Sequence, residues 1–240
     1  MVPGAVAVDD RIMPELRKIP LDSLTLALRV WPAASRNAVP AVLLPATGKT
    51  AADWDTIAAP LSAERTVYAV DLRGHGASDW PGDYAVELMA RDVIGLLDVL
   101  DIGEFDLIGH SVGGFVACLV AAARPATVRR LVVEDIPFPH PRPAAPPARP
   151  AGDLPFDWRM VEQVRPELDS PDDALWSATV AAIAAPTLVI GGGPASPIPQ
   201  PDVAELAARL RDARLTTINA GHLIHATRPA DFLAAVTEFL

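Results

Sequence analysis

The chain holds a single cysteine, Cys118, among its 240 residues. One thiol forms neither an internal disulfide nor a cysteine-based zinc cluster, so a reducing cytoplasm is the expected setting. Cys118 lies within the run FVACLVAAA, where a buried helix position is its expected role. Lysine is nearly as scarce: of 20 basic residues only Lys18 and Lys49 are lysine, and with abundant Ala and Pro this composition resembles that of a GC-rich bacterial genome. A formal net charge of −10 argues against a nucleic-acid surface, which needs clustered cations. Long apolar runs are missing too; the longest surrounds Cys118 and falls far short of the roughly 20 residues that cross a bilayer. The opening MVPGAVAVDDRIMPELRK has early acids and no basic segment followed by an apolar one, so no export leader is expected.

Half of the residues are apolar and 21% are charged, which is globular composition. The length suits one domain with a substantial core. Short apolar runs alternate with helical patterns: 24 to 31, 41 to 45, 66 to 72, 105 to 110, 130 to 135, 186 to 192 and 214 to 220 read as strands, while 51 to 63, 84 to 101, 112 to 124, 203 to 211 and 229 to 239 read as helices. Runs apolar throughout suggest strands covered on both faces, hence a doubly wound, mostly parallel α/β sheet. The stretch 137 to 153, PFPHPRPAAPPARPAGD, breaks the alternation, because each Pro removes a donor and restricts its predecessor. Two helical pieces follow it. We expect a core of 1–136 and 185–240 carrying a cap inserted at 137–184; a disordered linker is the alternative, set against Phe156, Trp158, Met160 and Trp176, which give the second half something to bury.

Gly109-His110-Ser111-Val112-Gly113 has the form G-x-S-x-G between a strand and a helix. In that setting glycines permit a tight turn, the serine is lifted above the sheet edge, and free N–H groups of the following helix face any oxyanion formed there. With this elbow, DLRGHGASD at 71 to 79 and Ala220-Gly221-His222 near the C-terminus, the sequence resembles the α/β-hydrolase superfamily over nearly its whole length. The resemblance implies a site in chain order Ser, acid, His. Ser111 is then the nucleophile and His222 its base. His225, His75 and His110 are expected to be structural, and His140 lies in the Pro-rich cap.

Two departures stand out. The loop after the PTLVI strand, where relatives of this type carry Asp, reads GGGPASPIPQ and has no carboxylate; positions 195 and 196 are Ala and Ser. Asp202 reads as the first turn of the next helix. Glu134 and Asp135, ending the apolar run RLVVED, are the other candidates, with Asp135 preferred, Glu134 second and a bare Ser–His dyad third. The second departure is Pro45-Ala46 in place of the His-Gly that most relatives carry before the oxyanion donor. The donors implied are the backbone N–H groups of Thr47 and Val112.

Gly48-Lys49-Thr50 ends like a phosphate-binding loop, but Leu43 stands where its first glycine belongs, and Gly191-Gly192-Gly193 lacks a dinucleotide fingerprint. No cofactor or metal is expected. The expected activity is hydrolysis of an ester, thioester or lactone of an apolar small molecule through an acyl-enzyme. Non-hydrolytic chemistry such as a lyase or cyclase reaction, or a receptor-like homologue with little catalysis, are the alternatives. No membrane partner is expected, and the sequence does not specify an oligomeric state.

Overall fold

The computed structural model describes residues 13–33, 38–143 and 146–240. The segment 1 to 12, whose lack of a leader was an expectation from sequence, and Ala144 and Ala145 of the Pro-rich stretch lie outside the described residues.

Among the described residues, eight strands form one sheet: β1 (Glu15–Pro20), β2 (Thr25–Trp31), β3 (Ala41–Leu44), β4 (Val67–Asp71), β5 (Phe105–His110), β6 (Val128–Glu134), β7 (Thr187–Gly191) and β8 (Ala213–Thr217). Their order is β1-β2-β4-β3-β5-β6-β7-β8, with β1/β2 and β2/β4 antiparallel and every other pair parallel. Seven strands match the apolar runs. The eighth, β1, reads ELRKIP, is largely exposed and pairs only with β2 at the sheet edge, so it carries no buried run by which to recognise it.

The helices are α1 (Asp55–Leu61), α2 (Val86–Val99), α3 (Val112–Ala123), α4 (Trp158–Asp169), α5 (Asp173–Ala182), α6 (Gln200–Arg209), α7 (Ile224–Thr227) and α8 (Pro229–Phe239). The expected helix at 51 to 63 opens as a 3-10 turn over Ala51–Trp54 before α1 begins. Alternate strand residues point to opposite faces of the sheet. Val42, Leu107, Leu131, Val133 and Val189 pack on one side with α2, α3, α5 and α6. Leu43, Ile108, Val132, Leu188 and Ile190 pack on the other with α1, α7 and α8. Burying side chains of this size stabilises the fold by about 1.5–3 kcal/mol each before entropy is counted. This covering of both faces is why the central runs are apolar without alternation. Cys118 sits inside α3, fully buried, and burial pushes its thiol up to about 12.

The register of the central strands creates the site. Leu44 pairs with Gly109, His110 with Glu134, and Glu134 with Ile190, so β3, β5, β6 and β7 end level with one another. The loops that begin at Pro45, Ser111, Asp135 and Gly192 therefore emerge side by side at the carboxyl edge of the sheet, where open α/β sheets bind ligands.

Among the described residues, no regular element lies between β6 and α4. Within 137–184, Phe138 is fully buried, His75 forms an isolated bridge with Phe156, and the Trp176 ring packs edge-on against Phe115 of α3 with centroids 5.1 Å apart. The Tyr84 hydroxyl donates to Asp157 at 2.8 Å, and the Tyr84 amide donates to Gln163 at 2.8 Å, which fastens α4 to the loop before α2. No helix among the described residues is long and apolar enough to cross a membrane.

Candidate active site

Ser111 stands between β5 and α3 with φ 52° and ψ −120°, a left-handed conformation that costs a non-glycine residue of order 1–3 kcal/mol. Its neighbours make the turn possible. A side chain at Gly109 would meet the Gly113 carbonyl oxygen at 2.3 Å, and one at Gly113 would meet the Leu44 carbonyl oxygen at 2.4 Å. The two flanking glycines are thus demanded by close backbone packing. The Ser111 amide donates to the Glu134 carbonyl at 3.2 Å, tying the elbow to the adjacent strand end. Val112 opens α3, so its N–H has no partner inside the helix and is free for an anion.

Asp135 follows β6 directly, also at positive φ (49°), and is fully buried. Its Oδ2 accepts from His222 Nδ1 at 2.7 Å and from Ser196 Oγ at 2.5 Å. Its Oδ1 accepts from the Gly192 amide at 2.8 Å and Gln200 Nε2 at 3.2 Å. Burial alone would raise the pKa of this carboxyl, but those four donors outweigh burial and hold it below the usual carboxylate range. The ionised form is the one an imidazole needs beside it. The preferred acid of the sequence reading therefore meets His222, and Asp202, in the first turn of α6, does not bond to it.

Glu134 is directed elsewhere. Its Oε2 lies 2.7 Å from His225 Nδ1, its Oε1 accepts the His225 amide at 2.9 Å, and the far ring nitrogen of His225 is 3.1 Å from Asp53. Burial would lower the His225 pKa, yet the hydrogen bonds and charges of Asp53 and Glu134 raise it to about 9, so the ring is an imidazolium clamped between two carboxylates. The Trp54 ring stacks on it at 4.2 Å. His110 is the opposite case: burial dominates, its pKa falls to about 4, and the neutral ring donates through Nε2 to the His222 carbonyl at 2.8 Å. The residue before Ser111 thereby grips the backbone of His222.

The DLRGHGASD segment holds the loop after β3. Asp71 accepts from the Ala51 and Ala77 amides at 2.6 and 2.9 Å, and Arg73 forms a buried fork with Asp92. His75 Nδ1 faces the Arg73 carbonyl at 3.0 Å while Nε2 accepts the Gly48 amide at 3.1 Å, fixing the backbone beside Thr47 despite the Pro45-Ala46 dipeptide.

Ser111, Thr47, Asp135 and His222 all border one cavity of about 760 Å³, walled by Phe115, Ile136, Phe138, Val161, Val164 and Leu168. Ser111 and His222 are half-buried, and Nε2 of His222 has no hydrogen-bond partner among the described residues. Among the described residues, two histidine–acid clusters bring metal-ligating atoms within 4.8 Å of one another, Asp53/His110/His225 and His140/Asp202/Glu205. In the first, both ring nitrogens of His225 are already hydrogen-bonded; in the second, His140 is exposed and paired with Glu205 at 2.7 Å. Lys49, of the phosphate-loop look-alike, pairs with Asp53 at 3.3 Å.

Several of these partners escaped the sequence reading. Ser196 stands in the loop where an acid was expected and donates to the acid that replaces it. Gln200 and Gly192 carried no signal, because only the fold brings them to Asp135. The short α7, which presents His225 to Glu134, is too brief to show a period.

A strained serine at a strand–helix elbow, beside a histidine–carboxylate pair on one edge of a mostly parallel sheet, defines an α/β-hydrolase architecture. The model of the Alpha/beta hydrolase family matches residues 41–236, and the chain belongs to that family. It is 29% identical to mouse sn-1-specific diacylglycerol lipase ABHD11 over 222 residues, covering 73% of this chain and 72% of that protein. It is 38% identical to the 2-hydroxymuconate semialdehyde hydrolase of a Pseudomonas species over 84 residues, 34% of this chain and 30% of that one. Among solved structures, the thioesterase domain from the curacin biosynthetic pathway superposes with a TM-score of 0.79 at 18% identity, covering 93% of this chain and 99% of that one. The enol-lactonase from Burkholderia xenovorans superposes at 0.71 with 22% identity, over 93% and 99% of the two chains.

Proposed function

We propose that this protein is a serine hydrolase that cleaves an ester, thioester or lactone of a largely apolar small molecule through an acyl-enzyme on Ser111. The observation that carries this reading is the 2.7 Å contact between Asp135 and His222 Nδ1 on the cavity that Ser111 also borders. Asp135 fixes the tautomer with the proton on Nδ1, leaving Nε2 to take the Ser111 proton as Oγ attacks the carbonyl carbon. The oxyanion that forms is met by the N–H groups of Val112 and Thr47. The imidazolium then returns its proton to the leaving oxygen or sulfur as the acyl bond breaks. Water, deprotonated by the same ring, releases the acid and restores Ser111. The lipase, thioesterase and lactonase named among the similar proteins support acyl chemistry of this type.

We read 137–184 as a cap in the same scheme, since Phe138, Val161, Val164 and Leu168 supply much of the apolar wall. The test is labelling by a fluorophosphonate together with turnover of p-nitrophenyl esters. The intact protein should do both, and Ser111→Ala should do neither while keeping its circular dichroism spectrum. Ester turnover surviving in Ser111→Ala would remove the serine mechanism. A folded protein that neither labels nor turns over would favour the receptor-like or non-hydrolytic readings.

A further inference from the structure

The cavity carries charge that the chemistry at Ser111 does not use. Arg142, in the Pro-rich stretch, and Arg165, on α4, both border it. Both donate through Nε to one oxygen, Oδ1, of Asp169. Two guanidiniums on one acceptor atom must be neighbours, and their shared carboxylate is 2% exposed. One acid neutralises one of the two cations, so a single positive charge remains at the wall. The bonds to Asp169 engage Nε and leave the terminal nitrogens of both forks uncommitted to it. The arginine side chains are 39% and 45% exposed, whereas Asp169 is sealed beneath them.

No other acid of the wall pairs with either arginine among the described residues: Asp135 is bonded instead to His222, Ser196, Gly192 and Gln200. Lys49 is paired with Asp53, and His140 with Glu205. Asp202 is in no ion pair with either arginine among the described residues. Apart from its charged and histidine side chains and Thr47, the wall that these arginines share with Ser111 consists mainly of apolar side chains and prolines, a surface for a hydrocarbon chain and not for a sugar or nucleotide. A planar carboxylate matches guanidinium forks, and as a monoanion it balances one surplus charge; a phosphate dianion would leave one charge over.

We propose that the substrate's acyl chain ends in a carboxylate held by Arg142 and Arg165, which makes the substrate a half-ester or half-thioester of a dicarboxylic acid. The proposal rests on the serine-hydrolase reading above. The carboxylate belongs to the acyl side because the acyl group stays on the enzyme through both chemical steps, so contacts made there serve formation and breakdown of the acyl-enzyme alike. The two arginines also fasten the Pro-rich stretch to α4, and the test must separate selectivity from that structural role.

The experiment compares kcat/KM for p-nitrophenyl hydrogen adipate with that for p-nitrophenyl hexanoate, esters of equal chain length that differ in the terminal charge. The intact protein should prefer the adipate ester by about tenfold or more, the scale of a charge-assisted contact. That ratio should fall toward one in Arg165→Gln and in Arg142→Gln, recover partly in Arg165→Lys, and stay at its original value in Arg228→Gln, a change at the surface pair with Asp231. It should also shrink in the intact protein between about 10 mM and about 1 M salt, a readout that needs no variant to fold. A ratio near or below one in the intact protein overturns the proposal, as does a ratio that ignores both salt and the two Arg→Gln changes. Should neither ester be cleaved nor fluorophosphonate bound, the hydrolase reading itself fails. The subsite is then decided by calorimetry: monomethyl adipate binding tenfold tighter than methyl hexanoate, with the advantage lost in Arg165→Gln, supports it, and equal affinities overturn it.

Discussion

Glu134 and Asp135 are adjacent in sequence, yet their carboxylates grip two different histidines, His225 at 2.7 Å and His222 at 2.7 Å. The divergence follows from the backbone. Glu134 is the last residue of β6, whereas Asp135 turns out of the strand at positive φ, so the two side chains leave the sheet edge in different directions. Two similar histidine–carboxylate pairs thus lie side by side, one open to the cavity and one sealed in the core. Asp135→Asn should keep the fold and lower kcat on p-nitrophenyl esters by up to ~10⁴, because an amide favours the wrong imidazole tautomer. Glu134→Gln should change kcat by less than about threefold, a barrier change near 0.7 kcal/mol. The reverse pattern would assign the orienting role to Glu134.

The sealed pair has a pH signature of its own. His225 is raised from its ordinary 6.5 to about 9 in the folded protein. Its contribution is therefore complete below about pH 6.5 and is lost as pH rises through 9, and linkage puts its size at up to about 3 kcal/mol. Glu134 and Asp53 are both held below the usual carboxylate range, so their share is present above that range and fades as pH falls through it. Denaturant unfolding at a series of pH values should show stability declining between about 6.5 and 9 in the intact protein, and the decline should flatten in His225→Gln. Breaking the buried pair with Glu134→Gln should cost about 3–5 kcal/mol, or roughly 6–20 °C in Tm. An alkaline slope that persists unchanged in His225→Gln would assign it to another group.

What could be read in advance follows the physics of each element. Buried parallel strands announce themselves by unbroken apolar runs, which is why β5 through β7 and the elbow at Ser111 are plain in the sequence. The edge strand β1 has no such run, since its ELRKIP side chains mostly face solvent. Asp135 was legible as a candidate because a carboxylate at the end of an apolar strand is out of place without a partner. The sequence reading preferred it to Glu134, but what separates the two in the structure is one positive φ that no residue type forces. Ser196, Gln200 and Asp53 lie 61, 65 and 172 residues from the groups they bond, and no local pattern encodes contacts at that range.

The stretch from 137 to 157 should exchange its amide hydrogens first. Seven prolines between 137 and 153 remove donors, and few backbone amides of 137 to 157 donate among the described residues: Phe138 to Asp202, Arg142 to Asp169 and Asp157 to Gly74. A segment with few closed hydrogen bonds opens at low free-energy cost. Exchange followed by mass spectrometry should find this stretch labelled well before β5, β6 and α3, with α5 protected through its packing on α3. Protection of 137 to 157 equal to that of the central strands would count against a movable cap.

Ser196 offers the most direct probe of how Asp135 is kept ionised. Its hydroxyl donates to the same oxygen that receives His222 Nδ1. Ser196→Ala removes one of four donors from a buried carboxylate, so burial regains ground and the Asp135 pKa rises. The acid limb of the kcat/KM profile should move to higher pH, with kcat at neutral pH reduced no more than about tenfold, since three donors remain and a lost hydrogen bond to a charged group is worth roughly 1.5–3 kcal/mol at most. Ser196→Asp should do more, although it places an acid where the resemblance to similar proteins led one to expect it. A second carboxylate beside Asp135 forces the pair to share a proton near neutral pH, so the acid limb should shift further upward and kcat should fall below that of Ser196→Ala. If Ser196→Asp instead matches the unaltered protein in both kcat and pH profile, the new acid has taken over His222, and Asp135 is not the only residue able to hold the ring.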